Sequence, residues 1–547
     1  MPMTPELRQK VDQIRNDLYG GGYPNPVANA EQVSFLSFFY LIEGIDAQNR
    51  ARARVTKQPY ASLFDGEWTL RNPLNAASKD ETEIPADRLR WSSWARGLSG
   101  ENLVRFVRDE VFPFYAEIAA QGATNFMDGA RLGLDDPAVL GKLVTDVDAL
   151  RLDQTDADTK GDLFEHVLRQ IKQAGELGQF RTPRHVIRAI VAMVDPHIGD
   201  TIYDPAAGTA GFLVAAYNHI RLAHSSDAAI ETVEVDGKPQ RRGLGDKLKQ
   251  AQQSQLANRT FYGNDVDPQM VRLATMNLTL RGLPNVRILR RNVLTSTLDA
   301  QQRADLGLPD GYDVILANPP FSGRLDRDRI VEDVKVGNTG ATEILFLKYM
   351  LDSLKPGSRC GVIVPEGVLF GSTGAHREIR RMLVENNTVE AVLSLPGGVF
   401  QPYSGVKTSA LFFRKGGATQ RVLFLHADND GYKLDANHDQ PIDADDLPAL
   451  IEAYRTRDDR WAEWQQIVGS NPAPATNSPW TKNWWFATAD QLRANDYNLS
   501  ASRYRPLNQA QVEHRDPREL LDELAALEAE ITSEVEALRA TLMEETP

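Results

Sequence analysis

From Leu7 onward, apolar positions Leu7, Val11, Ile14 and Leu18 recur at spacings of four, three and four. That rhythm predicts an amphipathic helix, and Gly20-Gly21-Gly22 stops it. Val33 to Ile42 is apolar on nearly every side yet too short to cross a bilayer, so it reads as a core helix of an N-terminal bundle ending near Leu150. After about Asp153 short apolar runs alternate with helical patterns, the way a parallel sheet covered by helices is written. The predicted strands are Thr201 to Tyr203, Thr260 to Tyr262, Val286 to Leu289, Asp313 to Ala317, Cys360 to Val364 and Val389 to Leu395. Helices are predicted over Arg184 to Val194, Gln269 to Arg281, Glu343 to Leu354 and Ala375 to Glu385, which makes the fold class α/β and doubly wound.

Residues 223–256 are polar and glycine-dotted and read as an insertion with a hairpin at Asp236-Gly237, without assigned chemistry. Gly469 to Asn483 is rich in Pro, Asn and Ser and reads as a linker. Beyond it Leu520, Leu524, Leu527, Ile531, Val535, Leu538 and Leu542 form a heptad-like seam with one stutter. A partner helix is favoured for that seam over a helix folded back on its own domain. The expected organisation is an all-helical, DNA-facing domain over 1–150, the α/β domain over 151–468, a linker and small tail over 469–510, and a C-terminal assembly helix over 511–547.

At 547 residues the chain holds about two to four domains. Its 42% hydrophobic and 25% charged content is that of a folded globular protein. One cysteine, Cys360, supports neither an internal disulfide nor a multi-cysteine metal site, and a reducing, cytoplasmic compartment is expected. No export signal or membrane span is read from the sequence, so no membrane partner is expected. Lys and Arg number 61 against 75 for Asp and Glu, giving −14, so any nucleic-acid role needs a local basic face or a basic partner. Arg88, Arg90, Arg96, Arg105 and Arg108 around Trp91 and Trp94 are read two ways: as a surface for DNA phosphates, or as a solvated arginine face over core tryptophans.

The sharpest motif runs from Asp204 to Phe212 (DPAAGTAGF), between the first predicted strand and the helix through Ala216. Small residues let the backbone approach a ligand, and a helix N-terminus offers free N–H groups, so this is a cofactor loop. It carries neither the dinucleotide fingerprint nor a Walker loop, so phosphate is not its obvious ligand. Asp265 ends Gly263-Asn264-Asp265 at the next strand's C-terminal edge, where a carboxylate can accept bonds from ribose hydroxyls, while Asp267 before Pro268 reads as a helix N-cap. Asn318-Pro319-Pro320-Phe321 directly follows the strand Asp313 to Ala317, and its prolines stiffen the turn. The Asn318 side-chain oxygen and a loop carbonyl can accept two hydrogen bonds from one amino group, and Phe321, held outward, can stack on a planar base.

With Gln179-Phe180-Arg181-Thr182-Pro183-Arg184, and with Asp496-Tyr497-Asn498-Leu499 followed by Ser502-Arg503-Tyr504, these pieces resemble, in order, the S-adenosylmethionine-dependent amino-methyltransferases. The resemblance is to the methylation subunits of type I restriction-modification systems in particular. It implies a Rossmann-like sheet and methylation of adenine N6 in double-stranded DNA. By that likeness Gln179, Phe180, Arg181, Thr182, Pro183 and Arg184 would clasp the methionine end of the cofactor. Asp204, Gly208, Thr209, Ala210 and Gly211 would line it, and Asp265 would take the ribose. Asn318, Pro319, Pro320 and Phe321 would hold an adenine flipped from the duplex. The family often has Tyr or Phe where Arg181 stands and an Asp where this chain has Asn292, so the bond to the cofactor's adenine amine would fall to Asn292.

The implied reaction is direct displacement, in which geometry and electrostatics supply the rate and no enzyme nucleophile is needed. Cys360 reads as a small buried residue of an apolar strand, and His166 and His185 lack partners at triad or metal spacing, so no metal is expected. Glu366 reads equally as a substrate contact or a turn residue. No target-recognition module remains after these assignments, so the likeness implies a separate specificity subunit. A second copy of the chain and a motor or nuclease restriction subunit would belong to the same assembly. Two other classes stay open: a protein glutamine methyltransferase, and a scaffold that binds the cofactor without catalysis.

Overall fold

The computed structural model describes residues 5–56, 60–71, 81–120, 127, 129–152, 157–173, 182–283, 285–401, 404–435, 438, 440–470 and 483–506, with Ala525, Glu528 and Thr532. In the N-terminal region α1 (Pro5–Gly20), α2 (Pro26–Thr56), α3 (Trp91–Trp94), α4 (Gly100–Phe106), α5 (Phe112–Ala120) and α6 (Pro137–Ala149) share one core. The predicted stripe Val11, Ile14 and Leu18 is buried, and the Phe39 ring stacks on Tyr115 at 4.3 Å and meets Phe112 edge-on at 5.2 Å. The all-helical expectation needs one amendment. β1 (Glu67–Arg71) and β2 (Glu81–Pro85) pair as an antiparallel hairpin: β1 alternates polar and apolar positions with a period of two, and its Trp68 and Leu70 stand opposite the β-branched Ile84 and Thr82.

α7 (Ala157–Gln173) lies across the boundary drawn near residue 150. Its Leu163, Phe164, Val167 and Leu168 enter the N-terminal core. Its Asp158, Asp162 and Glu165 share the opposite face at helical spacing and receive Arg221 (2.6 Å), Arg242 (2.7 Å), Arg281 (3.1 Å) and Arg184 (3.0 Å) from the α/β part. One helix therefore joins the two halves, apolar on one side and acidic on the other.

The α/β part runs α8 (Arg184–Val194), β3 (Ile202–Asp204), α9 (Gly211–Ala223), β4 (Ile230–Val235), β5 (Lys238–Gly243), α10 (Gln250–Asn258), β6 (Phe261–Asp265), α11 (Pro268–Thr279), β7 (Arg287–Arg290), α12 (Ala300–Asp305) and β8 (Tyr312–Ala317). It continues with α13 (Thr342–Ser353), β9 (Leu354–Pro365), α14 (Glu366–Phe370), α15 (Gly374–Asn386), β10 (Asn387–Ser394), β11 (Thr408–Lys415), β12 (Arg421–His426), β13 (Asp430–Tyr432), β14 (Pro441–Asp445), α16 (Leu447–Arg455), α17 (Arg457–Ser470) and β15 (Trp484–Thr488). Nine strands form one sheet in the order β15-β12-β10-β11-β9-β8-β3-β6-β7, with antiparallel pairing only at β11 and β15. All six predicted strands are present, as is the hairpin, whose turn residues Asp236 (φ 55°) and Gly237 (φ 74°) suit a primed turn.

The chain leaves β3 toward β6 and β7 on one side and returns to β8 and β9 on the other, so the crevice between β3 and β8 is the switch point at which open α/β sheets bind ligands. The segment assigned to a linker and small tail contributes more than expected: Trp484–Thr488 is the sheet's edge strand, paired antiparallel with β12. Its aromatic run favours a strand, and a capping box between Thr488 and Gln491 ends it. Residues 471–482 and the seven apolar positions of the terminal seam lie outside the described residues. Among those described, no helix is long and apolar enough to cross a membrane.

Candidate active site

Two loops meet at the switch point. The first leaves β3 at Asp204, whose buried carboxylate accepts the Ala206 N–H (3.0 Å). Ala207 N–H then bonds the Asn264 carbonyl (2.9 Å), and Gly208 N–H donates to the Asp265 carboxylate (2.9 Å), which also accepts the Asp267 N–H (2.9 Å). Asp265 therefore braces the loop. Close approach to β6 depends on Gly263, where an added Cβ would lie 2.9 Å from Ile288 and 3.1 Å from the Ala207 Cβ. Gly208 (φ 51°) and Ala210 (φ 65°) take left-handed conformations, and for alanine this costs about 1–2 kcal/mol, strain of the kind found at ligand clamps. Burial, opposed in part by the Ala206 N–H and reinforced by Asp265, pushes the Asp204 carboxyl up to about 8. Burial raises Asp265 as well.

The second loop leaves β8 at Asn318. Its amide Nδ2 donates to the Thr182 hydroxyl (2.8 Å), and its Oδ1 is buried with no hydrogen-bond partner among the described residues. An unmet buried acceptor is costly, so this atom is open to a donor that the described residues do not supply. Asn318, Thr182, Asp204, Gly208, Thr209, Gly211 and Arg184 line one cleft of about 760 Å³. These seven of the sequence-predicted residues converge on the cleft, whereas Pro183, Asp265, Pro319 and Pro320 are not part of its lining, and others depart from the expected geometry. Phe321 is not held outward: it is 6% exposed, packed in the sheet's core and edge-on to Phe400 at 5.2 Å, because a phenyl ring beside an apolar core gains more by burial than by exposure. Asn292 uses Oδ1 to accept the Leu294 N–H (3.0 Å) in a turn and does not line the cleft. Ala210 is buried beneath the loop, and Arg184 is tied to Glu165. Gln179, Phe180 and Arg181 lie outside the described residues.

Several cleft residues were not read from the sequence. Hairpin residues Val233 to Gly237 and Pro239 to Arg242 form a wall, giving the insertion a place at the site, and Arg188 on α8 donates to Gln240 (3.3 Å) with its guanidinium pKa lowered by burial. Their separation in sequence hid them. Val266 lies outside the cleft lining but is 59% exposed immediately after Asp265, and it had a legible signal: an apolar residue beside an acid at a strand end.

Other expectations resolve individually. Asp267 caps α11 by accepting the Gln269 N–H (2.8 Å), as read. Glu366 accepts hydroxyls of Ser409 (2.8 Å) and Ser500 (3.2 Å), joining β11 to the tail, which favours the turn role. Cys360 is buried and its thiol pKa is raised well above the ordinary value by that burial. His185 corrects the expectation of no partner at metal spacing: Asp430 and His438 stand against it, brought from far along the chain. Of the five N-terminal arginines, four are paired: Arg88 with Glu110 (3.3 Å), Arg96 with Asp148 (2.9 Å), Arg108 with Asp109 (2.7 Å) and Arg90 with Asp87, over buried Trp91 and Trp94, while Arg105 is exposed without an ion pair to any described carboxylate. The solvated-face reading fits them better than a phosphate surface. By contrast Arg324, Arg327 and Arg329, exposed on the stretch just after Phe321, make no ion pair with any described carboxylate.

Comparison with known proteins gives a consistent result. The profile of the N-6 DNA methylase family matches residues 155–514. The type I restriction enzyme EcoEI methylase subunit of Escherichia coli is 29% identical over 511 residues, covering 89% of this chain and 92% of that protein. The StySPI methylase subunit of Salmonella potsdam is 27% identical over 470 residues, covering 81% and 82%. Among solved structures, a chain from a study of complex assembly in a type I restriction-modification system superimposes with a TM-score of 0.64 at 24% identity and full coverage of both chains. The type I methyltransferase subunit from Streptococcus thermophilus gives 0.61 at 17% identity, covering 91% of this chain and 99% of that one.

Proposed function

The chain belongs to the N-6 DNA methylase family and is an N6-adenine DNA methyltransferase, and on that premise we propose that it is the modification subunit of a type I restriction-modification assembly, with Asn318 at its reaction centre. The observation that carries the residue assignment is the unpartnered Oδ1 of Asn318 at the switch point. An exocyclic amine is the donor that satisfies it. Thr182, by accepting from Nδ2, fixes which end of the amide faces the substrate. Pro319 and Pro320 keep the loop from relaxing, and the accepted hydrogen bonds hold the adenine nitrogen in place for transfer.

The loop from Asp204 to Gly211 suits S-adenosylmethionine, since it offers a strained small-residue cradle, a helix N-terminus and an acid at the neighbouring strand end. That cofactor supplies a methyl group already activated on a sulfonium. Thr182, Gly208, Thr209 and Gly211 would line it, with Gln179, Phe180, Arg181 and Arg184 toward the methionine end. Asp265 retains lone pairs for ribose hydroxyls beside its two backbone bonds, and Val266 offers an apolar face to a planar base. Asn292 is left out of the contact set.

Arg324, Arg327 and Arg329 are free to meet phosphates around the flipped base. A specificity subunit would read the sequence, with a restriction subunit and a second copy of this chain in the same assembly, and the relatives' names as methylase subunits of type I restriction enzymes support a multi-subunit enzyme. An enzyme acting on genomic DNA works in the cytoplasm. The test is transfer of radiolabelled methyl to adenine-containing duplex DNA, by the chain alone and co-purified with its specificity subunit, followed by nucleoside analysis. N6-methyladenine only in the complex supports the proposal. Labelled protein with unlabelled DNA in both arms contradicts it.

A further inference from the structure

His185 on α8, Asp430 on β13 and His438 in the loop after it form a cluster near the start of α8, three residues beyond Thr182. Asp430, the first residue of β13, is fully buried, as is His438, while the His185 side chain is 12% exposed. His185 Nε2 stands 2.8 Å from Asp430 Oδ2, and His438 Nε2 stands 3.0 Å from Oδ2 and 3.2 Å from Oδ1. One ligand atom from each residue lies within 4.8 Å of the others. Tyr432 stacks on the His185 ring at 4.4 Å, which fixes the ring's plane.

The decisive detail is the other nitrogen of His438. Nδ1 lies 3.1 Å from the Val399 carbonyl, which can only accept, so Nδ1 carries the proton. In the neutral ring this leaves Nε2 with a lone pair aimed at two carboxylate oxygens that also only accept. A cation shared by the three ligand atoms, which lie within 4.8 Å of one another, resolves that facing of acceptors, as does a proton on Nε2, and only the first retains a metal. A ring N–H donated to a backbone carbonyl while the other nitrogen points at a carboxylate is also how metal-binding histidines are oriented. His438 holds this position with a left-handed backbone (φ 45°), a conformation uncommon for residues other than glycine and seldom kept without compensation.

We propose that His185, Asp430 and His438 bind one divalent ion of the zinc class, with two imidazole nitrogens and one carboxylate oxygen as protein ligands and solvent entering from the His185 side. The ion's place in the fold gives it a task. His185 lies three residues beyond Thr182, the partner of Asn318, and His438 bonds Val399, the neighbour of Phe400, whose ring abuts Phe321. The bound ion braces both flanks of the Asn318 loop and joins α8 to β13. It takes no part in methyl transfer.

The test uses the full chain, freed of any histidine tag and stripped with chelator, then dialysed against Zn²⁺ alone and assayed by elemental analysis and thermal denaturation. The expected result is about one zinc per chain, with a melting midpoint raised by several degrees. Asp430→Asn and His438→Gln should lose both. His185→Gln, changed at the half-open ligand, serves if the buried variants do not fold. Folded wild-type chain that retains no zinc and gains no stability from it overturns the proposal and leaves a hydrogen-bonded triad. Equal zinc retention by folded His438→Gln or His185→Gln also overturns it.

Discussion

Arginines appear in two settings in this molecule. Along α7, Arg184, Arg221, Arg242 and Arg281 reach into an acidic face between the N-terminal bundle and the sheet, and each has a carboxylate. After Phe321, Arg324, Arg327 and Arg329 stand in solvent without an ion pair to any described carboxylate, Arg324 feeling Glu343 only through its field. The first set is finished chemistry that holds the fold, while the second awaits a partner. The same distinction separates Asn387, whose amide oxygen accepts the Gly416 N–H and whose amide nitrogen donates to the Met382 carbonyl, from Asn318, whose Oδ1 has no partner among the described residues. Function is concentrated where polar groups are left unsatisfied, and charge density alone identifies nothing, as the paired arginines around Trp91 demonstrate.

The comparison is broken most severely at Asn318. Asn318→Ala should lower methyl transfer by at least about 100-fold, the scale of losing one oriented polar group at a reaction centre, with cofactor affinity little changed. Next comes the α7 seam. Asp158→Ala leaves Arg221 buried without its carboxylate and should cost about 3–5 kcal/mol, read as a shift in the denaturation midpoint. If that variant instead weakened DNA binding while the fold stayed intact, the seam would belong to the substrate surface.

The pH dependence of Asp204 is of intermediate size. Its folded pKa, about 8, lies above the ordinary carboxylate value, so the native state holds a proton that the unfolded state releases. Its stabilising contribution is complete below about pH 4 and is lost as pH rises toward about 8. Asp204→Asn keeps no such slope, and its stability should rise relative to wild type over that window and level off above it. A parallel pair of curves would show that Asp204 is ionised in the native cleft.

Smaller effects separate the two exposed arginine groups. Replacing Arg324, Arg327 and Arg329 together by Gln should leave the melting midpoint unchanged and reduce the salt dependence of DNA binding by about two to three in slope. Replacing Arg88 and Arg96 by Gln should leave that slope alone and change stability by less than about 1 kcal/mol. A reversed result, with the N-terminal pair setting the slope, would move the phosphate surface back to the bundle.

Much of the fold was legible because its signals are local. The strands announce themselves by apolar runs, the hairpin by Asp236-Gly237, the start of α11 by Asp267-Pro268, and the two site loops by small residues and paired prolines at strand ends. What escaped depends on residues far apart. The partners of His185 lie in a late loop, and the acidic face of α7 is met by arginines from four separate stretches. β15 was hidden by the linker composition before it, and the inward turn of Phe321 depends on Phe400, which no local pattern reveals.

The central claim is that the free acceptor of Asn318 performs a step distinct from holding the cofactor. The most direct measurement pairs calorimetric S-adenosylmethionine binding with single-turnover formation of N6-methyladenine, using wild type and Asn318→Ala, each co-purified with the specificity subunit. Equal cofactor affinity with N6-methyladenine formed only by wild type is the predicted result. Methylation by Asn318→Ala at near the wild-type rate, or loss of cofactor binding in step with activity, would contradict it.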